Sequence, residues 1–589
     1  MGLEASTSSL PATSPASSGR PPGPPALITK EDLRRAILHV SRSSAHRRDL
    51  AKGATPDAVA DDEQAEHRIG EVGVLVVVAA LTNPAARPVA CEVPWDAPEA
   101  PRERRCARRQ DRRREVTTIR DAQPRARAVA LRFRRLALVI QVVEHVMLPP
   151  GPTLPSAAQM LAWLYRPTRF FDRCLARYGE VFTMRLPGQP PRVMLARQDT
   201  IRAVFTGSPA RLHAGGANAL VEPLVGPRSV LLLDDAAHLR QRRLLLAQFA
   251  GRKVAEHGRV MHELTVEAID RWPVGAEFPV QPELQALTLR VILATIFGVR
   301  GGERSAALFH LLSALLEQAR SPLLLVPALQ RELGPLTPWS RFVALKRRLD
   351  AALRPIFAER RRALERADGA PSDILGQLVA ARDDEGRPLS DAQLRDELVT
   401  LLVAGHETTA NALAFTLFEA LADAAARERL RGELAAVVGA GPIGHEHLDR
   451  LPYLDATIHE GLRLHPVLGH VGRVLTEPMR LGGYDLPAGW MAVPCIYLAH
   501  RDPAVFPEPE RFRPDRFLER TFSPYAYLPF GGGARRCIGM SFALQEMKIV
   551  LATILARAGL SLRPGYRPGI TRRGVVWAPA GGVPVRRER

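Results

Sequence analysis

The sequence predicts a mainly α fold with small β-sheets (α+β), and three observations carry that expectation. Residues 147–589 are dominated by runs with helical periodicity, the longest covering 390–422. Strand-like runs are short and few, at 181–186, 191–195, 479–486, 490–497 and 575–577. A glycine-rich loop with one cysteine, Phe530-Gly531-Gly532-Gly533-Ala534-Arg535-Arg536-Cys537-Ile538-Gly539, leads directly into a last amphipathic run over 541–560.

Taken in order, the first 146 residues differ in kind from the rest. Residues 5–25 are a Ser/Pro/Gly tract of disordered composition. Residues 101–135 hold fourteen arginines against four acids without sustained periodicity. Residues 1–146 are therefore expected to be an arginine-rich, low-complexity extension, either disordered or upstream of the true start. Met147 is followed by Leu-Pro-Pro-Gly-Pro, which suits the entrance to a folded domain over 147–589. Helices are expected there at 156–179, 239–249, 257–272, 285–297, 306–318, 339–367, 390–422, 424–438 and 453–464. Pro187-Gly188-Gln189-Pro190 turns between the first two strands, and a Pro/Arg-rich loop at 501–529 precedes the cysteine.

Bulk composition narrows the function class. A hydrophobic share of 46% and a formal charge of +19 describe a soluble, basic globular protein. The arginines spread along the whole chain without a nucleic-acid module, which favours a basic docking face for an acidic partner over a nucleic-acid binder. Cys91, Cys106, Cys174, Cys495 and Cys537 lack CxxC spacing, so neither a disulfide framework nor a zinc site is expected, and a reducing cytoplasm fits. No run reaches the ~18 apolar residues of a membrane span, and the N-terminus lacks the pattern of a secretory signal.

Four features carry chemistry. Cys537 stands ahead of a helix N-terminus beside Arg535 and Arg536, a setting that favours thiolate and makes the sulfur a nucleophile or a soft metal ligand. Ala404-Gly405-His406-Glu407-Thr408-Thr409 places a glycine and hydroxyls inside the longest helix, where they cost stability. Either the glycine meets another helix, or the helix opens locally to admit a small ligand, with Glu407 and Thr408 as acid and hydroxyl for proton delivery. Glu460 and Arg463 share a helix face at i,i+3, and Arg511 offers a second arginine to the same carboxylate, a clamp for the loop leading to the cysteine. His238 and Arg242, at i,i+4, are a solvated basic face or, with Arg473 and Arg535, a grip on two carboxylates of a buried ligand.

In this order the four motifs resemble the cytochrome P-450 family of haem-thiolate monooxygenases. Phe530, Gly533, Arg535, Cys537 and Gly539 fit the family's Phe-x-x-Gly-x-Arg-x-Cys-x-Gly loop. Ala404, Gly405, Glu407 and Thr408 fit its oxygen-activation helix, and Glu460, Arg463 and Arg511 fit its Glu-x-x-Arg motif and the arginine completing it. The resemblance runs from about Leu148 to the C-terminus.

The resemblance implies a fold that holds haem between the oxygen-activation helix and the cysteine-loop helix. It implies haem b with Cys537 as thiolate axial ligand, tuned by the backbone N–H groups that follow it. His238, Arg242, Arg473 and Arg535 would hold the propionates, Ala404 and Gly405 would leave room for dioxygen, and Thr408 and Glu407 would deliver protons. The implied pocket segments, 210–225, 401–404, 467–471 and 575–577, are mainly apolar and favour a lipophilic substrate such as a fatty acid or terpenoid. The 52 residues after Cys537 are too few for a fused flavin domain, which implies a separate ferredoxin or flavodoxin with its NAD(P)H reductase. Arg511, Arg513, Arg516, Arg520 and Arg536 would form the docking face. The expected activity is insertion of one oxygen atom of O2 into a lipophilic small molecule. Its rivals are a peroxygenase, disfavoured by Glu407-Thr408, and a non-enzymatic haem- or ligand-binding protein.

Overall fold

Two short helices and a hairpin open the described chain. The computed structural model describes residues 147–588 apart from 250–251, 299–300, 320–329, 333, 335–336, 367–372 and 440. The extension expected over 1–146 lies outside the described residues. The periodic run at 156–179 is divided into α1 (Ser156–Tyr165) and α2 (Pro167–Tyr178). Pro167 causes the break, since it has no N–H for a continuous helix and suits the first position of a new one. Strands β1 (Val181–Met184) and β2 (Arg192–Leu195) then pair antiparallel, as the turn residues predict.

Past α3 (Gln198–Thr206) and the two-residue β3 (Leu212–His213), the chain becomes helical. Helices α4 (Asp235–Leu246), α5 (Gly258–Arg271), α6 (Val280–Ile296), α7 (Gly302–Ala319) and α8 (Pro338–Glu365) lead to α9 (Asp391–Ala422). Helix α9 is 32 residues long and starts at a capping box in which Ser390 and Gln393 satisfy each other's backbone N–H groups. It is apolar nearly all round because it crosses the core, packing against α6, α11 (Pro452–Leu464) and α12 (Met540–Arg557). Helix α10 (Ala424–Val437) links α9 to α11.

The largest sheet has five strands in the order β1-β2-β5-β4-β3, where β4 is Arg473–Leu475 and β5 is Met491–Pro494. The β2–β5 pair is parallel, so the chain must leave the sheet and return, and most of the helices are built in that crossover. Register assigns side chains to faces. Arg192 lies opposite Met491, whereas Arg473 lies opposite the next residue, Ala492. Arg192 and Arg473 therefore leave opposite faces of one sheet. Met491 packs with Trp163, Phe171 and Trp577 on one side, and Ala492 with Ile201, Phe205 and Leu475 on the other. A second hairpin, β6 (Ile570–Arg573) with β7 (Val576–Pro579), puts Arg572 opposite Trp577. Among the described residues no helix is long and apolar enough to cross a membrane.

Candidate functional site

The cysteine loop is shaped by what it touches. Cys537 N–H donates to Phe530 O at 3.0 Å, closing the loop on itself. Gly533 has φ +65°, and a Cβ there would lie 2.2 Å from the backbone oxygen of Phe205 in α3. No other residue fits that position. Gly539, by contrast, is the N-cap of α12 at φ −84°. A Cβ on Gly539 meets nothing within 4 Å.

Cys537 keeps solvent-accessible surface although many protein atoms surround it. Burial raises its thiol above the ordinary value, while the Gly539 N–H, Arg242 and Arg536 act in the opposite sense. The helix-terminus argument for a free thiolate is thus outweighed by burial, and a bound cation would restore it. Among the described residues no group of three His, Cys, Asp or Glu side chains could hold a bare metal ion. The adjoining charges suit a prosthetic group that brings its own metal donors, as a porphyrin does.

Those charges form a compact cationic cluster. Arg535 donates to Val230 O at 3.0 Å and to Asp234 Oδ1 at 2.5 Å, and it also reaches Leu233 O. Arg242 Nη2 donates to the Arg536 carbonyl at 2.6 Å. Arg473 is buried, donates to Gly472 O at 2.8 Å, and is pushed down to about 10 by burial and then by Arg535. His238 is buried and drawn down to about 4, first by burial and then by Arg535 and Arg242. His238, Arg242, Arg473 and Arg535 thus crowd together with Asp234 as their counter-charge, a surplus of positive charge suited to a dianionic ligand such as a haem with two propionates. Arg240, on the other face of α4, is exposed.

Helix α9 contributes an open stripe. Ala404 is exposed and Leu401, Gly405 and Thr408 are half-buried, although most neighbouring positions in the helix are fully buried. The helix itself runs unbroken through this stretch, so the expected backbone opening is absent. Gly405 is explained by packing: a Cβ there would come within 2.9 Å of Ile292 Cδ1 on α6. The Thr408 hydroxyl donates to the Ala404 carbonyl one turn back, which satisfies it without bending the helix out of α geometry. Glu407 Oε1 accepts from Gln285 Nε2 at 3.5 Å.

The clamp differs from expectation in one arginine. Glu460 and Arg463 form a two-pronged pair at 2.7 and 2.9 Å with both side chains fully buried. The second guanidinium on Glu460 is that of Arg516, at 3.0 Å, and the Arg513 N–H adds a bond of 2.9 Å. Arg511 turns its side chain outward to Glu508, 66% exposed, and supplies only its carbonyl to Arg463. The loop curls so that residue 516, not 511, points inward. Arg516 is consequently also unavailable to any docking surface.

Two functional positions escaped the sequence reading. Asp234 precedes α4 as its N-cap, yet its carboxylate turns away to accept the N–H groups of Ala214 and Gly215, each at 3.0 Å, and Arg535. The Asp-Asp pair at a helix start was a signal for a cap, not for this bridge. Arg516 was one of five arginines in the loop with no period to distinguish them.

A mainly helical core holding a glycine-shaped cysteine loop, a surplus-positive cluster and a Glu–Arg–Arg clamp matches the arrangement expected of a haem-thiolate oxygenase. The sequence profile described as "Cytochrome P450" matches residues 149–582. Cytochrome P450 135B1 of Mycobacterium bovis is 39% identical over 444 residues, 74% of this chain and 91% of that protein. Cytochrome P450 138 of the same species is 34% identical over 446 residues, 75% of this chain and 97% of that protein. Among solved structures, retinoic acid bound cyanobacterial CYP120A1 superposes with a TM-score of 0.66 and 27% identity, covering 75% of this chain and 99% of its own. The chain belongs to the cytochrome P450 family. It is a bacterial-type cytochrome P450 monooxygenase, whose cofactor is haem b with a cysteine thiolate ligand.

Proposed function

We propose that Cys537 is the haem ligand and that the enzyme inserts one oxygen atom into a lipophilic small molecule, a fatty acid, terpenoid or similar compound. The observation that carries this reading is the accessible Cys537, surrounded by protein atoms, beside the surplus-positive cluster of His238, Arg242, Arg473 and Arg535. Haem, when bound, supplies oxygen activation. Cys537 would hold its iron, with Phe530 and Gly539 shaping the loop, and the four cationic groups would hold its propionates. Glu460, Arg463 and Arg516 would keep the loop in place.

The small, exposed side chain of Ala404 would leave space for dioxygen, while Gly405 would let α9 lie close to Ile292 of α6. The Thr408 hydroxyl, released from the Ala404 carbonyl by a small rotation, would hold a proton at Oγ1. Glu407 would resupply it from its carboxyl, with Gln285 steadying that group. Apolar segments at 210–225, 401–404 and 467–471 would exclude water and orient the substrate. The retinoic acid named with CYP120A1 is a lipophilic molecule of this class.

Electrons would arrive from a ferredoxin or flavodoxin with its NAD(P)H reductase. Support comes from Arg511, Arg520 and Arg536, which are exposed and flank the cysteine loop in sequence. A cytoplasmic location fits the free Cys174, Cys495 and Cys537. The test is the reduced, carbon-monoxide-bound spectrum of the purified protein. A Soret band at the thiolate position that vanishes in Cys537→Ala is expected; a band typical of histidine ligation would overturn the assignment.

A further inference from the structure

The sheet that carries Arg473 toward the propionate cluster carries a second cation on its opposite face. Arg192, in β2, is 6% exposed and buried beside Trp163. Its guanidinium carbon lies 5.6 Å from the Trp163 ring centre. Arg572, in β6, lies over the same indole at 3.6 Å. His470 completes the group, its ring 5.7 Å from that of Trp163 and edge-on to it.

These three side chains have hydrogen-bonding capacity that nothing satisfies. Arg192 reaches Gln189, and Arg572 Nε reaches Gly574 O at 2.8 Å. Arg192 Nε, Arg572 Nη1 and His470 Nδ1 are all buried without a partner. Among the described residues, no carboxylate pairs with either arginine or with His470. A buried and a half-buried guanidinium facing one indole with no counter-ion are costly, and the π-face offsets only part of that cost. Mutual contact with Trp163 accounts for the stacking but not for three orphaned nitrogens.

The position of the group says what kind of ligand would reach it. His470 is half-buried, and its Nδ1 is fully covered. It lies in the 467–471 segment, three residues before Arg473. The β6–β7 hairpin that bears Arg572 is tied to that segment by the bond from Trp577 N–H to Val467 O at 2.8 Å. Apolar side chains surround the cations: Phe171, Met194, Met491 and Trp577 belong to the same packed cluster as Trp163. The surroundings match a long apolar molecule that ends in one negative charge.

We propose that Arg192, Arg572 and His470 form an anion-binding subsite that anchors the carboxylate of a lipophilic acid substrate. This rests on the monooxygenase reading and specifies the substrate class. The subsite is separate from the propionate cluster, because Arg192 and Arg473 leave opposite faces of the sheet. Two guanidiniums offer the fork geometry that a carboxylate accepts, and His470 Nδ1 supplies a third donor.

The holoenzyme is titrated calorimetrically with hexadecanoic acid, its methyl ester and hexadecanol, and with the same three headgroups on a branched isoprenoid chain. At least one acid is expected to bind ~10-fold or more tightly than its ester. Arg192→Gln and Arg572→Gln should bring acid and ester to within about twofold, with the acid losing more affinity than the ester. Equal affinity of acid and ester in the parent, no binding of any acid, or a preference that survives the double substitution would each overturn the proposal. If both variants lose stability and the acid preference is unchanged, the arginines only brace Trp163, and the proposal fails. The parent acid-to-ester ratio needs no variant, so a variant that fails to fold does not remove the test. Calorimetry does not read the iron, so a failed acid preference beside an intact thiolate spectrum sinks the subsite alone. A missing thiolate spectrum sinks the haem assignment instead.

Discussion

Glu460 Oε1 and Arg516 Nε meet at 3.0 Å with both side chains almost wholly excluded from solvent. The same oxygen accepts the Arg513 N–H, and Oε2 accepts from Arg463, so the carboxylate is saturated by charged and backbone donors. Removing Arg516 leaves Glu460 paired with Arg463 but takes away a buried charge-assisted bond and the donors to the Pro507 and Glu508 carbonyls. Arg516→Ala is expected to destabilise the fold by ~1.5–3 kcal/mol and to lower haem content. Arg511→Ala, which removes a side chain that touches only Glu508 at the surface, should leave both unchanged. Thermal unfolding and haem absorbance per protein for the two variants, side by side, distinguish this clamp from one closed by residue 511.

The two glycines of the cysteine loop should respond very differently to one added methyl. Gly533→Ala places a Cβ 2.2 Å from the Phe205 oxygen at φ +65°, where neither backbone can yield cheaply. It should cost at least ~2 kcal/mol and abolish stable haem incorporation. Gly539→Ala meets open space and keeps its N–H toward the sulfur, so folding and the thiolate spectrum should survive.

Acid should destabilise the protein through its buried histidines. His500 donates from Nδ1 to the Arg463 carbonyl at 3.1 Å and accepts the Leu528 N–H at Nε2, 2.9 Å, so it is held neutral. Burial, then Arg463, pushes it down to about 3. The unfolded chain takes up this proton near its ordinary value of ~6.5 and the folded chain does not. The stabilisation is therefore complete above that value and is lost as pH falls toward 3, by about 1.4 kcal/mol per pH unit. His238, down at about 4, adds to the slope. In urea titrations at successive pH values, His500→Gln should be weaker than the parent at neutral pH but should lose less stability on acidification. Parallel losses would contradict this account.

Thr408 and Glu407 should separate proton delivery from binding. Thr408→Ala and Glu407→Gln are expected to keep haem content and ligand affinity but to slow product formation roughly a hundredfold relative to NAD(P)H oxidation. The ratio of product formed to cofactor consumed is the measurement. An unchanged ratio in both variants would remove these residues from the relay.

Short-range patterns were legible in the sequence and longer-range choices were not. The Glu460–Arg463 pair follows from helical spacing, and the cysteine loop from glycines beside a helix start. Which arginine of 511, 513, 516 and 520 turns inward depends on how an irregular loop curls, and no period encodes that. The unbroken α9 shows the same limit. Gly405 and Thr408 raise the local cost of a helix, but contact with Ile292 and the bond to Ala404 O absorb it. The run at 156–179 was divisible from sequence, since Pro167 marks the break. Asp234 was beyond reach because its partners lie twenty residues back and three hundred ahead.

That one carboxylate has a consequence for recombining this enzyme with its relatives. Asp234 Oδ1 joins the Ala214–Gly215 turn to Arg535 through a single oxygen. In a chimaera with a relative, 210–233 is an obvious cassette to exchange. A crossover placed before residue 234 would import a turn shaped for a different acceptor and leave Arg535 with its old one. The seam that preserves both sides falls after Asp235, inside the first turn of α4, so the donor's carboxylate travels with the turn that it holds.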